Sequence, residues 1–295
     1  MEPIVVEVVR GDAVESRHRV HAVAVADGRV VAAAGEPGLV TFLRSAAKPV
    51  QALSVARARP DLTDEELALA SASHLARPEQ LAAVRRLLER AQASEDDLEC
   101  GPEPTRLAHN CSGKHAAMLL LCRERGWAKA GYRLAEHPCQ QALRAELERA
   151  AGASAIVATA VDGCGVVTYA LALEAMARAF ARLPELDGAE RVLAAMRAHP
   201  DLVRGPLSPD TMLMRALPGW TAKGGAEGLL CAVSGEGLAL ALKVEDGANR
   251  ALGPAAGAFL RDLGLEPGVL GEPELRNSRG ERVGSLRTAR VERHR

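Results

Sequence analysis

The order of apolar patterns along the chain limits its fold more than any single motif does. Runs at 4–10, 17–26 and 29–34 read as strands, the last two joined by a tight Asp27-Gly28 turn. Helical periodicity dominates from about 46 to 220. Strands return at 229–233 and 238–244 around Gly235-Glu236-Gly237, and a helix follows at about 247–263. A turn at Ser278-Arg279-Gly280 precedes a short last strand. Strands at both ends with a helical middle predict an α+β fold, a single unit over residues 1–295 whose sheet joins both ends of the chain.

Within the middle, Thr63-Asp64-Glu65-Glu66 forms a capping-box start for a helix over 65–72. Pro78 opens another, with Leu81, Val84, Leu87 and Leu88 on one face. Further helices are expected at 115–125, 138–151, 168–183, 188–198 and 210–216. Ala155 to Val161 reads as a buried strand ending in Asp162-Gly163-Cys164-Gly165. The apolar stretch Leu39 to Leu43 leads into Arg44-Ser45-Ala46-Ala47-Lys48, after which a helix runs through Val50, Leu53 and Val55.

With 295 residues, 48% of them hydrophobic, a sizeable core is available. The net charge of −1 argues against a nucleic-acid footprint or a polybasic membrane anchor. Arg276, Arg279, Arg282, Arg287, Arg290, Arg293 and Arg295 gather near the C-terminus, but acidic and small residues interrupt them, which reads as a solvated edge. No apolar run approaches the roughly 20 residues of a membrane span, and the N-terminus lacks a targeting pattern, so a cytoplasmic protein is expected. Six scattered cysteines without a CxxC pair read as free thiols.

Of the 37 basic residues only five are lysines: Lys48, Lys114, Lys129, Lys223 and Lys243. A chain that writes Arg for surface cations keeps Lys where a neutral amine is useful, because only Lys can lose its proton. Ser45 and Lys48, three apart where a strand gives way to a helix, share a face. A desolvated lysine there can take the serine proton and make it a nucleophile, and the helix N-terminus can receive an oxyanion. The bland alternative is a helix-capping serine followed by an exposed lysine.

Ala72-Ser73-His74 places a second hydroxyl in a turn. Ser73 can relay a proton; His74 reads as an ordinary surface or helix-capping histidine. Lys223-Gly224-Gly225 leads into a strand, where the glycines allow a ligand close to the backbone and a second amine near Ser45 would hold Lys48 neutral. Its bland alternative is a glycine-rich connection with an exposed lysine. His109-Asn110-Cys111-Ser112-Gly113-Lys114-His115 is the densest polar cluster. Cys111, Lys114 and the separate Cys164 can supply two thiolates and an amine to a metal, or the cysteines can be small buried hydrophobes.

Taken in order, R-S-A-A-K-P-V-Q, S-A-S-H, H-N-C-S-G-K-H, V-D-G-C-G-V, H-P-D-L-V-R-G, A-K-G-G-A-E-G and L-K-V-E-D-G-A-N-R-A resemble the asparaginase II, or rhizobial-type, L-asparaginases over about residues 4–285. The resemblance implies a fold like the serine β-lactamases and penicillin-binding proteins, an antiparallel sheet flanked by helices, and a homodimer. It implies Ser45 as nucleophile with Lys48 as base, Ser73 and Lys223 as a second Ser–Lys pair, and a zinc site at Cys111, Lys114 and Cys164 that the nucleophile does not require. Arg44, His109, Asn110, Asp162, Gly224 and Gly225 are the expected substrate contacts. Ala46, Leu75-Ala76 and Val166-Val167 depart from the family pattern.

The expected reaction is hydrolysis of L-asparagine, a small amino-acid substrate, through a β-aspartyl-enzyme. Two rivals stand beside it: a relative acting on glutamine or a β-lactam, and a non-catalytic metal- or amino-acid-binding protein of the same fold. Against a cell-wall peptidase stands Lys223-Gly224-Gly225 in place of Lys-Thr-Gly.

Overall fold

Asp27 and Gly28 both adopt left-handed backbone, with φ of 49° and 70°, the geometry of a two-residue hairpin turn. They join β2 (Ala13–Ala26) to β3 (Arg29–Ala34), after β1 (Ile4–Arg10). The computed structural model describes residues 1–268, 270–271 and 273–289. Arg290, Arg293 and Arg295 of the expected basic edge lie outside them. Within them, Arg276 and Arg282 pair with Glu274 and Arg287 with Glu7.

After β4 (Val40–Phe42) a 3-10 turn over Arg44–Ala47 runs into α1 (Lys48–Ala58). Then come α2 (Asp64–Ala70), α3 (Pro78–Ala91), α4 (Ser112–Arg125) and α5 (Pro138–Ala151). Strands β5 (Ala158–Val161) and β6 (Val167–Ala172) precede α6 (Leu173–Arg182), α7 (Ala189–Ala198), α8 (Pro200–Val203) and α9 (Pro209–Ala216). The last elements are β7 (Thr221–Gly225), β8 (Leu229–Val233), β9 (Ala239–Val244), α10 (Leu252–Asp262), β10 (Glu274–Arg276) and β11 (Arg282–Thr288).

Among the described residues the main sheet has eight strands in the order β10-β11-β1-β2-β9-β8-β7, with β3 also on β2, and every neighbouring pair is antiparallel. It joins both ends of the chain and is flanked by helices, as expected. β8 and β9 are buried at every residue. Successive side chains of a strand point to opposite faces, so both faces are covered. α6 packs on β2, β8 and β9, and α10 on β1, β2, β9 and β11. Truncating a fully buried core residue such as Leu242 to alanine would cost about 2–5 kcal/mol.

The Thr63–Glu66 capping box closes as read: Thr63 Oγ1 accepts from the Glu66 amide at 3.3 Å, and Glu66 Oε2 accepts from the Thr63 amide at 2.8 Å. Three expectations need correction. The helix placed at 168–183 is strand β6 followed by α6; Val167, Thr168 and Tyr169 pair with β5, and β6 also pairs with β4 in a separate three-stranded sheet. Residues 155–161 are not a buried strand. β5 is an exposed edge with Val161 71% accessible. The Lys223-Gly224-Gly225 connection is itself strand, β7, and wholly buried.

Candidate active site

Leu43 donates its amide to the Tyr169 carbonyl at 2.9 Å, and the next residue turns sharply. Arg44 takes a positive φ of 48°, uncommon for a residue with a side chain, and its amide reaches Thr168 Oγ1 at 3.2 Å. This strained turn presents half-buried Ser45 at the junction of β4 and α1. β7 lies against the same turn: a Cβ on Gly225 would stand 3.1 Å from the Leu43 carbonyl oxygen. The glycine permits that approach.

Lys48 is 0% exposed. Its Nζ donates to the Ala72 carbonyl, to Ser73 Oγ at 2.9 Å and to Cys111 Sγ at 3.3 Å. Burial lowers its proton affinity, against the pull of the Cys111 thiolate. Ser45 is not among its hydrogen-bond partners. Lys223, also 0% exposed, stands on β7 and donates to Gly224 O at 2.7 Å and Asp210 Oδ2 at 3.5 Å. Burial depresses it to about 7, with Asp210 working the other way. In this geometry Lys48 Nζ holds the Ser73 hydroxyl, and Lys223 holds the Asp210 carboxylate.

The Ser71–His74 segment is held on two sides, by Ser73 N to Val203 O at 2.8 Å and His74 N to Asn110 O at 3.0 Å. His74 is neither at the surface nor a helix cap; it is 1% exposed. Ser112 Oγ donates to Leu107 O at 2.7 Å and so receives the His74 Nε2 proton at 2.8 Å, while His74 Nδ1 accepts from the Ala76 amide. Burial first, then Lys48, depresses His74 to about 4 and leaves the ring neutral. Nothing in Ala72-Ser73-His74 itself signals that burial, because the partner lies 38 residues on.

Gly113 brings the start of α4 onto α2, where a Cβ would collide with the Leu69 carbonyl. There Lys114 Nζ lies 3.1 Å from Cys164 Sγ. The Cys164 thiol faces Cys111 as a hydrogen-bond donor. That hydrogen bond, then Lys48 and Lys114 against the opposing effect of burial, hold Cys111 well below the ordinary thiol range. The same bond and burial push Cys164 above it, against the pull of Lys114. Burial opposes the Lys114 ammonium, but Cys164 and Cys111 outweigh it and raise the group. Among the described residues no three His, Cys, Asp or Glu side chains form a metal-binding group, so any metal here would need the lysine as third donor.

Arg44 Nε pairs with Asp162 Oδ1, so the two expected substrate contacts meet each other. His109 is buried and accepts the Cys111 amide on Nδ1 at 3.0 Å; Asn110 is exposed. Gly224 and Gly225 lie inside β7 rather than in a loop. Asp210 was missed. As the second residue of a helix after Pro209 it reads as an ordinary dipole-facing acid. Instead it is 1% exposed and bonded to Lys223 and Gly224.

The chain matches the sequence pattern of the family described as L-asparaginase II over residues 6–288. No curated protein matches it. Among solved structures it is similar to Mglu in its native form in 4.3 M NaCl, with a TM-score of 0.41 and 14% identity over 84% of this chain. The chain spans about 62% of the length of Mglu. It is also similar to a β-lactamase from Mycobacterium bovis, with a TM-score of 0.35, 16% identity, and coverage of 82% of this chain and 94% of that one.

Proposed function

Because the chain belongs to the L-asparaginase II family, we propose that it hydrolyses the side-chain amide of L-asparagine by covalent catalysis at Ser45. The observation that carries this reading is the strained turn that sets Ser45 one helical turn from a fully buried lysine whose amine already holds a second hydroxyl. Neutral Lys48 takes the Ser45 proton as Oγ attacks the carboxamide carbon. Backbone amides of the Arg44–Ala47 turn receive the oxyanion. The C–N bond then breaks, and the proton passes from Lys48 through Ser73 to the leaving nitrogen, which departs as ammonia. Water hydrolyses the β-aspartyl ester by the reverse path and restores the Ser45 hydroxyl.

Arg44 and Asp162 open their mutual pair to receive the substrate α-carboxylate and α-ammonium, and Gly224, Gly225, His109 and Asn110 shape the rest of the pocket. Lys223, when protonated, adds positive potential that disfavours a proton on Lys48.

Cys111, Lys114 and Cys164 would hold zinc. The fit lies in the donor set: Lys114 Nζ stands 3.1 Å from Cys164 Sγ and Cys111 is held toward its thiolate, an amine and two sulfurs of the kind zinc accepts. Such an ion would supply a Lewis-acid contact for substrate or water, while Ser45 remains the nucleophile. Six buried free cysteines support a reducing, cytoplasmic setting. No described helix is long and apolar enough to cross a membrane. The family resemblance supports a homodimer, which light scattering checks.

Ser45→Ala tests the reading directly. Ammonia release from asparagine falls by at least about a thousandfold with the circular dichroism unchanged, and wild type gains the mass of a β-aspartyl group on quenching. Substantial turnover by a folded Ser45→Ala protein sinks the assignment. The same assay with glutamine and a β-lactam fixes the amide class.

A further inference from the structure

Asp210 is a carboxylate 1% exposed to solvent, on the first turn of α9, at the outer edge of β7. An ionised carboxylate removed from water is costly unless donors replace the lost hydration. Three donors converge on this one. Lys223 Nζ stands 3.5 Å from Oδ2, the Gly224 amide donates to the same oxygen at 2.9 Å, and the Thr211 amide donates to Oδ1 at 3.1 Å.

We infer that Asp210 is a positioning residue for the reaction: one carboxylate oxygen pins both the backbone of β7 and the Lys223 amine, and so fixes where that amine stands relative to Lys48. The inference rests on the reading of Lys223 given above.

The geometry admits few substitutes. The other hydrogen bond of Lys223 curls back to the carbonyl of its own neighbour, Gly224, so among the described residues Asp210 alone ties the amine to another element through a hydrogen bond. The charged and titratable groups that face Lys223 are Asp210 from α9, Lys48 from α1, Arg204 after α8, Cys111 before α4 and Cys231 from β8. Lys48 and Arg204 repel an ammonium. Asp210 is the one carboxylate among them and the strongest of the charges that favour protonation, and it offsets in part a burial that by itself would strip the proton from the amine. Gly224 completes the arrangement, since a Cβ there would stand 3.2 Å from the same oxygen.

The test compares kcat/KM against pH for wild type, Asp210→Asn and Lys223→Met. Asparagine keeps an acceptor for Gly224 but removes the charge. The limb belonging to Lys223 then moves toward acid by at least about one pH unit, whether the reaction needs that amine charged or neutral, because burial is no longer opposed. Activity at neutral pH falls at least about tenfold. Lys223→Met loses activity and the limb together. An unmoved limb in Asp210→Asn, with Lys223→Met inactive, overturns the role of Asp210 and leaves Lys223 standing. Near-native activity in Lys223→Met overturns the reading of Lys223, and the inference with it. Should Asp210→Asn not fold, Asp210→Glu keeps the charge but displaces it by a methylene. At least a tenfold loss of kcat with the limb in place is then expected, and undiminished kcat overturns the proposal.

Discussion

Lys48 and Lys223 are equally inaccessible, yet the two ends of the site treat their amines differently. Lys223 stands on a sheet edge with a buried carboxylate 3.5 Å away. Lys48 stands at a helix start and meets a carbonyl, a hydroxyl and a thiol; no carboxylate pairs with it among the described residues. Burial pulls both below the ordinary lysine range. A permanent anion at one end resists that pull, and a polarisable sulfur with neutral acceptors resists it differently at the other. Such an asymmetry separates an amine surrounded by neutral acceptors and a sulfur from one whose proton affinity a fixed carboxylate sets, and it can be attacked experimentally from either end.

The largest expected effect is at the helix end. Lys48→Arg lowers kcat by about 10²–10⁴-fold, as much as Lys48→Ala, because a guanidinium stays protonated and cannot serve as base. Near-native kcat for Lys48→Arg in the ammonia assay would erase the distinction between the two lysines.

A smaller effect is expected at the sulfurs next to Lys48. Calorimetric zinc titration of wild type and Cys164→Ala shows at least tenfold weaker binding in the variant, and wild-type affinity rises with pH because the ligands must release protons. Equal affinities for the two proteins mean that these cysteines hold no metal.

The smallest effect sharpens the strand end. The folded chain binds fewer protons at Lys223 than the unfolded chain between about pH 7 and the ordinary lysine value of 10.5. The Lys223 contribution to stability therefore rises with pH across that window. The Tm difference between wild type and Lys223→Met follows the same trend, becoming more favourable to wild type from pH 7 to 10. A flat difference would mean that Lys223 is charged in the folded protein.

How far the sequence foretold this arrangement depended on distance along the chain. Thr63 and Glu66 were legible as a cap because the interaction closes within three residues. The α+β order of elements was legible for the same reason, since each run of periodicity is local. Residues 168–183 were not, because an alanine- and leucine-rich run fits both periods until β4 and β5 flank it. Ser45, Lys48 and Ser73 were picked out as residue types at a spacing, but which hydroxyl Lys48 holds depends on how α1 meets the turn after α2. Asp210 left no sign, because a buried acid and a solvated acid look alike at the start of a helix until the strand beside it is known.

The pairing of β1 with β11 carries a kinetic consequence. Val6 lies opposite Thr288, and β2 meets β9 across more than 200 residues of intervening chain. Loop closure on that scale must precede the contacts that reward it, so the sheet falls at the slow, non-local end of folding behaviour. During synthesis β1 and β2 emerge first and wait with exposed edges until the last strands are made. An aggregation-prone interval of that kind is shortened by slow growth temperature or a chaperone rather than by a stronger core. Yield of soluble protein should therefore respond to those conditions even when the Tm of the finished molecule does not change.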